Sequence, residues 1–453
     1  MNGALVSDAT IYALGTPVPS RAHPGAISVI RLSGPRAGDA LRALTRKEAL
    51  PDPRRLVLRT VFDPSTGEAI DRGLVVWFAA ESSETGEPMA ELQLHGGRAV
   101  VGAALEALAR LGFCRLAEPG EFTRRAFEHG KLDLTEAEAI ADLVAAETAA
   151  QRRQALQQME GALHRLYEDW RGKGVRALAH LEAAIDFPDE DLPDGLADEV
   201  RTAIGRLQSE IEVHLADRRG ERLRDGLSIA IIGPPNAGKS SLLNLLARRD
   251  AAIVSETAGT TRDVIEVHLD LGGWPVVLAD TAGLRATPDA IEREGVRRAR
   301  ARAASADLRV LVLDATVDWQ QEMQSIVATT EGWNDENDIV VVNKIDVASV
   351  ESRSVVQLSA NTSVGLPELL ARLERSAGTL MQEGAGVVPL TRARHREALA
   401  DCQASLARAL VAPEVALAAE DLRLALRALG RITGTVRIDE LLDVIFRDFC
   451  IGK

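Results

Sequence analysis

Apolar residues keep two rhythms along this chain, and the change from one to the other divides it. Up to about residue 111 they come in short runs: Ala26–Leu32, Leu56–Phe62, Leu74–Phe78 and the alternating Met89-Ala90-Glu91-Leu92-Gln93-Leu94. Runs this short, with a period near two, predict strands. Ser33-Gly34-Pro35 and Thr85-Gly86-Glu87-Pro88 supply turns between them, and His95-Gly96-Gly97 opens a predicted helix running to about Leu111. Residues 1–128 therefore read as a small α/β domain. Arg31 and Glu91 are charges inside strand patterns, so each must be paired, exposed or turned toward a ligand. A solvated sheet face is the simplest reading of both.

From about Lys131 the period lengthens to that of a helix. Thr135 is the expected N-cap, with Glu138 three residues on completing a capping box. Leu156, Met159, Leu163, Leu166 and Trp170 step by three and four, which predicts a seam for helix packing. Asp186-Phe187-Pro188-Asp189-Glu190-Asp191-Leu192-Pro193 breaks that run, and a second, polar helix leads through Arg218-Arg219-Gly220. After about Ala377 helices resume, with Leu422, Ala425, Leu429, Ile432 and Val436 again at helical spacing. Between the two helical stretches lie strand-like runs that read as fully buried: Leu227–Ile232, Val276–Ala279 and Ile339–Val342. The expected organisation is thus multidomain α/β plus all-α. A doubly wound module at 225–377 is inserted between the halves 129–224 and 378–453 of one helical domain, because insertion is tolerated where chain ends lie close together.

The inserted module carries the chemistry. Gly233-Pro234-Pro235-Asn236-Ala237-Gly238-Lys239-Ser240 follows a predicted strand and precedes the predicted helix Ser241–Leu246. That arrangement rings a phosphate with backbone N–H groups at a helix N-terminus, a P-loop. Lys239 would reach the outer phosphates, and the Ser240 hydroxyl would take a Mg²⁺ coordination place. Four further segments follow in the order a GTPase needs. Asp280-Thr281-Ala282-Gly283 ends a strand with a carboxylate for the Mg²⁺ shell and an N–H for the γ-phosphate. Asn343-Lys344-Ile345-Asp346 ends another, and a carboxylate there can accept from guanine's N1 and N2 donors, a pattern adenine lacks. Leu358-Ser359-Ala360 is placed to offer a backbone N–H to the guanine oxygen. Thr260-Thr261-Arg262-Asp263 supplies a hydroxyl for the last Mg²⁺ position, assigned to Thr261. The candidate GTP contacts are Gly233, Asn236, Ala237, Gly238, Lys239, Ser240, Ser241, Ser255, Glu256, Thr257, Ala258, Gly259, Thr260, Thr261, Asp280, Thr281, Ala282, Gly283, Asn343, Lys344, Asp346, Ser359 and Ala360. Each tetrapeptide alone is a weak signal, but five in this order within one domain's length are a strong one.

Length and charge narrow the setting. At 453 residues the chain accommodates two to four domains, and 53 basic against 67 acidic residues leave a net charge of −14. An acidic protein gains no nonspecific attraction to RNA or anionic lipid, so nucleic acid would have to meet a local basic patch or a partner. Cys114, Cys402 and Cys450 lack metal-ligand spacing and read as reduced thiols. With no basic start before an apolar core and no run of eighteen apolar residues, the chain reads as a cytoplasmic protein with neither secretion signal nor membrane span.

Several stretches resemble one family over residues 8–453. They are Asp8-Ala9-Thr10-Ile11-Tyr12-Ala13-Leu14, Val29–Pro35, Glu118-Pro119-Gly120-Glu121-Phe122-Thr123-Arg124-Arg125-Ala126-Phe127, Lys131–Ala139, the five GTPase segments and the ending Phe449-Cys450-Ile451-Gly452-Lys453. Together they resemble the MnmE, or TrmE, family of tRNA-modifying GTPases. The resemblance implies an N-terminal α/β domain that forms a homodimer and binds a reduced folate, the 5,10-methylene or 5-formyl tetrahydro form, through Arg31, Glu91, Lys131 and Lys453. It implies a Ras-like G domain and a flavoprotein partner, MnmG, that brings FAD and NADH. With it the protein would build an aminomethyl-type substituent on carbon 5 of the wobble uridine of tRNA, the folate supplying the one-carbon unit. Leu284 stands where Ras-type proteins place a water-orienting glutamine, and leucine cannot hydrogen-bond water. The resemblance assigns that role to Glu292, which joins Lys239 as a catalytic candidate. It also replaces an arginine finger by K⁺, held by Asn236 and by Ser255, Thr257 and Thr260, and implies K⁺-stimulated pairing of G domains. Ser255 and Thr257 depart from the residues usual in that loop. Cys450 is a candidate functional thiol. The alternative is a switch GTPase of ribosome assembly, but the helical tail offers no KH-type Gly-x-x-Gly loop.

Overall fold

The computed structural model describes residues 9–20, 25–186, 196–248, 252–253, 266–280, 303–382, 388–436, 439–447, 449 and 452. In chain order it contains β1 (Thr10–Leu14), β2 (Ile27–Ser33), α1 (Ala37–Thr45), β3 (Val57–Phe62), β4 (Ala69–Phe78), β5 (Met89–His95), α2 (Arg98–Arg110), β6 (Cys114–Leu116), α3 (Glu121–Glu128) and α4 (Leu134–Ala145). Then come α5 (Ala149–Met159), α6 (Ala162–Asp186), α7 (Leu196–Ala216), α8 (Arg219–Asp225), β7 (Leu227–Ile232), α9 (Lys239–Ala247), β8 (Ala252–Ile253), β9 (Glu266–Leu271) and β10 (Trp274–Asp280). The remainder is β11 (Leu308–Asp314), α10 (Trp319–Thr329), β12 (Ile339–Asn343), β13 (Val356–Gln357), α11 (Leu366–Gln382), α12 (Ala393–Val411), α13 (Val415–Thr433) and α14 (Asp439–Arg447). The chain divides into two compact units, residues 1–141 with 430–453, and residues 142–429. No helix among the described residues is long and apolar enough to cross a membrane.

The first unit is a six-stranded sheet in the order β3-β4-β5-β2-β1-β6, antiparallel except where β1 meets β6. Alternation along β2 and β5 turns Ile30, Leu32, Ala90, Leu92 and Leu94 into one core with α1 and α2. The opposite face is covered at the β1 side, where Ile11, Ala13 and Met89 pack with Phe122 of α3. Toward β3 it stays open, with Leu58, Leu74 and Ile27 exposed. The last residues join this unit: Leu442, Ile445, Phe446 and Phe449 form one cluster with Phe127, Leu134 and Ala137.

In the second unit the strands follow the order β13-β12-β11-β7-β10-β9-β8, and β7 pairs parallel with both β10 and β11. Leu227, Ile229 and Ile231 enter one core while Ala230 and Ile232 enter the other. Burial on both faces explains the unbroken apolar run in the sequence. Helix α8 delivers the chain into β7 and is tied on every side. Arg222 bonds Asp307 at 2.7 Å, and Asp307 also accepts from the Ser228 N–H at 3.1 Å. Arg224 bonds Asp142 at 3.0 Å, Arg396 grips Glu221 through two bonds of 3.0 Å, and the Gln154 amide donates to the Gly220 carbonyl at 3.1 Å. A methyl group on Gly220 would lie 2.1 Å from the Leu390 carbonyl, so only glycine fits there.

Two expectations for the helical part are corrected. The capping box at α4 is not Thr135 with Glu138. The Asp133 carboxylate accepts from the Glu136 N–H at 2.8 Å, while the Glu136 carboxylate accepts from the Asp133 N–H at 2.9 Å. This earlier start turns Leu134 and Ala137 into the aromatic cluster and leaves Thr135 in the first turn, its hydroxyl on Asp133. Nor does the seam run from Leu156 to Trp170. Thr148 caps a separate helix, α5, which ends before Gly161. Leu156 and Met159 are exposed, and the buried seam of α6 is Leu163, Tyr167, Trp170, Gly174, Ala177 and Leu181. The inward face of α5 instead carries Gln154 and Gln158, bonded toward α8 and Thr391.

Replacing Gly220 by alanine should force α8 off the Leu390 backbone, at about 1–3 kcal/mol. Gly205, inside α7 with nothing near the added methyl, should gain about 0.4–1 kcal/mol from the same change. Thermal melting of the two variants is therefore expected to move in opposite directions.

Candidate nucleotide site

Parallel pairing brings the carboxyl ends of β7, β10, β11 and β12 to one edge of the second sheet. Loops there are free to hold a ligand because the strands beneath are buried on both faces. β7 runs into the phosphate loop, and its tight path needs glycine. Gly233 has φ 144°, and a methyl on it would lie 2.1 Å from the Val312 carbonyl. Gly238 has φ 97° and is pressed against the Asn343 amide, where a methyl would lie 2.1 Å from Nδ2. Asn236 adopts the left-handed conformation at φ 63°, which asparagine tolerates better than most residues. α9 then starts at Lys239, pinned by buried Leu242, Leu243 and Leu246. The Lys239 ammonium donates to the carbonyls of Gly233 at 2.9 Å and Pro234 at 2.7 Å, which holds it over its own loop.

The second wall comes from β12. The Asn343 amide, 3% exposed, donates to the Ala237 carbonyl at 2.9 Å and accepts from the Ala360 N–H at 2.9 Å. One side chain thereby fixes the phosphate loop against the loop after β13. Lys344 turns back at φ 67° to pair with Asp314 at 2.5 Å. Burial would raise the Asp314 carboxyl, but hydrogen bonds from Lys344 and from the Thr316 N–H and hydroxyl hold it below the usual carboxylate range. Asp314 was not among the sequence candidates. Its signal was a lone carboxylate closing the apolar run Val310–Leu313, the same grammar as Asp280.

The cleft so formed is about 710 Å³ and is lined by Pro235, Asn236, Gly238, Lys239, Ser240, Ser241, Asn343, Lys344, Asp346, Val347, Ala360 and Asn361. Its floor is a helix N-terminus with a lysine, suited to phosphate, and its far wall offers the exposed Asp346 carboxylate to a base bearing adjacent donors. Ser240, exposed at the start of α9, fits a cation-binding hydroxyl, and Asn236 reaches the same space. Asp280 closes β10 with its backbone in register with Ile231. Of the segment Leu358-Ser359-Ala360, Ala360 lines the cleft. Its three N–H groups bond Val342, Val364 and Asn343 respectively, and Asn361, one residue further, also lines the cleft. Ser359 is fully buried and its hydroxyl accepts from the Thr362 N–H at 3.1 Å, so it shapes the turn. Ser255, Glu256, Thr257, Ala258, Gly259, Thr260, Thr261, Thr281, Ala282, Gly283 and Glu292 lie outside the described residues, as does the side chain of Asp280.

In the first unit, Arg31 and Glu91 face each other across β2 and β5 and pair at 3.2 Å. Arg31 also pairs with Glu84 and donates to the Gly452 carbonyl at 3.4 Å, with its guanidinium 5.3 Å from the Phe122 ring centre. Lys131 donates to the Glu81 carbonyl at 2.9 Å. The loop between β4 and β5 thus touches both cations. It is anchored by Glu87, which takes bonds of 2.8 Å from Ser33 and from buried Arg125. Arg31 and Glu91 are therefore paired and half-buried, not a solvated face. Lys453 and Cys450 lie outside the described residues; Cys114 and Cys402 are buried, and burial pushes their thiols up to about 11 and about 12. Among the described residues no cluster of histidine, cysteine and carboxylates could hold a metal.

Removing the Asn343 side chain, as in Asn343→Ala, leaves the Ala237 carbonyl and Ala360 N–H without their partner. At about 1–3 kcal/mol for a buried group left unsatisfied, affinity for GTP is expected to fall about tenfold or more in an equilibrium titration.

Two family models match the chain: "GTP-binding protein TrmE N-terminus" over residues 10–131 and "MnmE helical domain" over residues 134–450. The chain is 56% identical over 449 residues to the tRNA modification GTPase MnmE of Parvibaculum lavamentivorans, covering 98% of this chain and 100% of that protein. It is 56% identical to the protein of the same name from Paramagnetospirillum magneticum, over 98% and 99% of the two chains. It is 48% identical to the mitochondrial 5-taurinomethyluridine-[tRNA] synthase subunit GTPB3 of Danio rerio, over 98% and 93%. With its N-terminal and helical regions both matched and relatives aligned from end to end, the chain belongs to the MnmE family of tRNA modification GTPases.

Proposed function

We propose that this protein is the GTP-cleaving subunit of a complex that modifies carbon 5 of the wobble uridine in tRNA. The observation that carries the reading is the joint presence, in one cleft, of Lys239 and Ser240 at a helix N-terminus and Asp346 on the opposite wall, in a chain aligned along its whole length with tRNA modification GTPases. In the cleft Lys239 leaves its own loop carbonyls for the β- and γ-phosphates, and Asp346 accepts from guanine. Ser240 and Thr261 would hold Mg²⁺, and Asn236 with Ser255, Thr257 and Thr260 would hold K⁺. When bound, these cations neutralise charge that develops on the phosphates. Glu292 orients the attacking water, and hydrolysis gives GDP and phosphate. The cleavage makes no bond in the tRNA; it sets domain positions.

The first unit would take a reduced folate at Arg31, Glu91, Lys131 and Lys453, as a homodimer, with the one-carbon unit delivered to tRNA. A flavoprotein partner of the MnmG type would bring FAD and NADH. What supports this is the convergence of Arg31, Glu91 and the Gly452 carbonyl on one spot, with Lys131 reached by the same loop.

Cells lacking the protein are expected to lose the modified wobble nucleoside from their tRNA and to regain it with the wild-type chain but not with Lys239→Ala. Full modification with Lys239→Ala would contradict the role of GTP. Phosphate release should be faster in K⁺ than in Na⁺, and Glu292→Ala should slow it about a hundredfold or more, as for loss of a general base. Equal rates in both salts would remove the K⁺ proposal.

A further inference from the structure

The loop between β4 and β5 is pinned on both sides of one acidic residue, Glu84. Before it, the Ser83 hydroxyl donates to the Ala80 carbonyl at 3.0 Å. After it, Thr85 is fully buried with its hydroxyl 2.7 Å from that of Ser33, and Glu87 is held by Ser33 and Arg125. Gly86, at φ 79°, lies so close to the end of α3 that a methyl group on it would stand 2.6 Å from the His129 Cβ. Ser83, Thr85 and Glu87 are buried, while Glu84 between them is exposed and pairs with Arg31.

Arg31 is balanced without that contact. Its Nε faces Glu91 at 3.2 Å, its Nη1 donates to the Gly452 carbonyl at 3.4 Å, and Glu84 takes Nη2. One carboxylate, Glu91, offsets the guanidinium charge, so the second is in excess. An exposed ion pair contributes little to stability, and holding the fold does not account for Glu84. Each guanidinium nitrogen already faces an acceptor, so the unused capacity at this spot lies mainly on the carboxylate oxygens. An ionised carboxylate has about four lone-pair sites. Among the described residues Glu84 accepts only from Arg31. It is also the more open of the two acids, 46% exposed against 21%. As built, the spot receives donors rather than acceptors.

We propose that Glu84 is a specificity-determining residue of the folate site, its carboxylate accepting from the 2-amino and N3–H groups of the pterin ring. This rests on the folate reading above. A reduced pterin carries these two donors side by side on its pyrimidine edge, and a carboxylate matches them with its two oxygens. Arg31 occupies one lone pair of Glu84, so the ring docks without breaking the ion pair. The pinned loop keeps the carboxylate in place, and little freedom is lost on binding. A ring without the 2-amino group leaves Glu84 desolvated and short of a partner, and is rejected for that reason.

The test is calorimetric titration of the full chain with 5-formyltetrahydrofolate and with the analogue in which a methyl group replaces the 2-amino group. The wild type should bind the amino compound about tenfold to a hundredfold more tightly, the range for a hydrogen bond to a charged group. Glu84→Ala should erase that ratio, chiefly by weakening the amino compound. Glu84→Gln, whose amide offers one acceptor oxygen and no charge, should erase most of it. Because Glu84 is exposed, both variants should melt as the wild type does. A Glu84→Ala variant that binds the amino compound more tightly would show the carboxylate to be a cover over Arg31 and would overturn the proposal. So would a wild type indifferent to the amino group, a ratio that survives Glu84→Ala, or equal losses for both ligands, each leaving the folate reading intact. Absence of binding by either ligand to the wild type would overturn both.

Discussion

A buried amide joins the two halves of the nucleotide cleft. Asn343 reaches from the end of β12 to the Ala237 carbonyl in the phosphate loop and receives the Ala360 N–H from the loop after β13. A phosphate-binding loop and a base-binding loop recognise one molecule only when their spacing is fixed, and here a single side chain fixes it. The amide is placed by parallel register, which brings the ends of β7, β11 and β12 to the same edge. The glycine at 238 lets the amide approach, since any side chain there would displace it. Lys344, next in sequence, turns away to Asp314 and closes the wall from behind.

The strand that feeds this loop is also tied, through Asp307, to the helix that precedes it. Asp307 holds both Arg222 of α8 and the Ser228 N–H of β7, and α8 is in turn bonded through Arg224, Glu221 and Gly220. A shift of the phosphate loop therefore loads a short helix with no slack at Gly220. In the first unit the same economy appears on a smaller scale. One loop, anchored by the Arg125–Glu87 pair, contacts both Arg31 and Lys131.

Most of the nucleotide module was legible in the sequence because its signals are local: a strand, a glycine turn and a polar tetrapeptide follow one another along the chain. Lys239, Ser240, Asn343 and Asp346 are brought to one cleft as their spacing required. What was not legible depends on partners far away in sequence. The bond from the Ala360 N–H to Asn343 is visible only once β12 and the loop after β13 are side by side. The cap at Asp133 won over Thr135 because it brings Leu134 and Ala137 to Phe446 and Phe449, residues some three hundred positions on. The seam through Leu156 and Met159 failed because α5 turns its glutamines inward to α8, where backbone carbonyls need donors. Arg31 and Glu91 illustrate the remaining case. Their charge alone favoured solvent, and only the antiparallel register makes them partners.

The central claim is that the cleft recognises and cleaves a guanine nucleotide. It is tested most directly by phosphate release from the full chain given GTP or ATP at equal concentration with Mg²⁺ and K⁺. The account predicts turnover of GTP with ATP spared; equal turnover of the two, or cleavage of ATP alone, would contradict it.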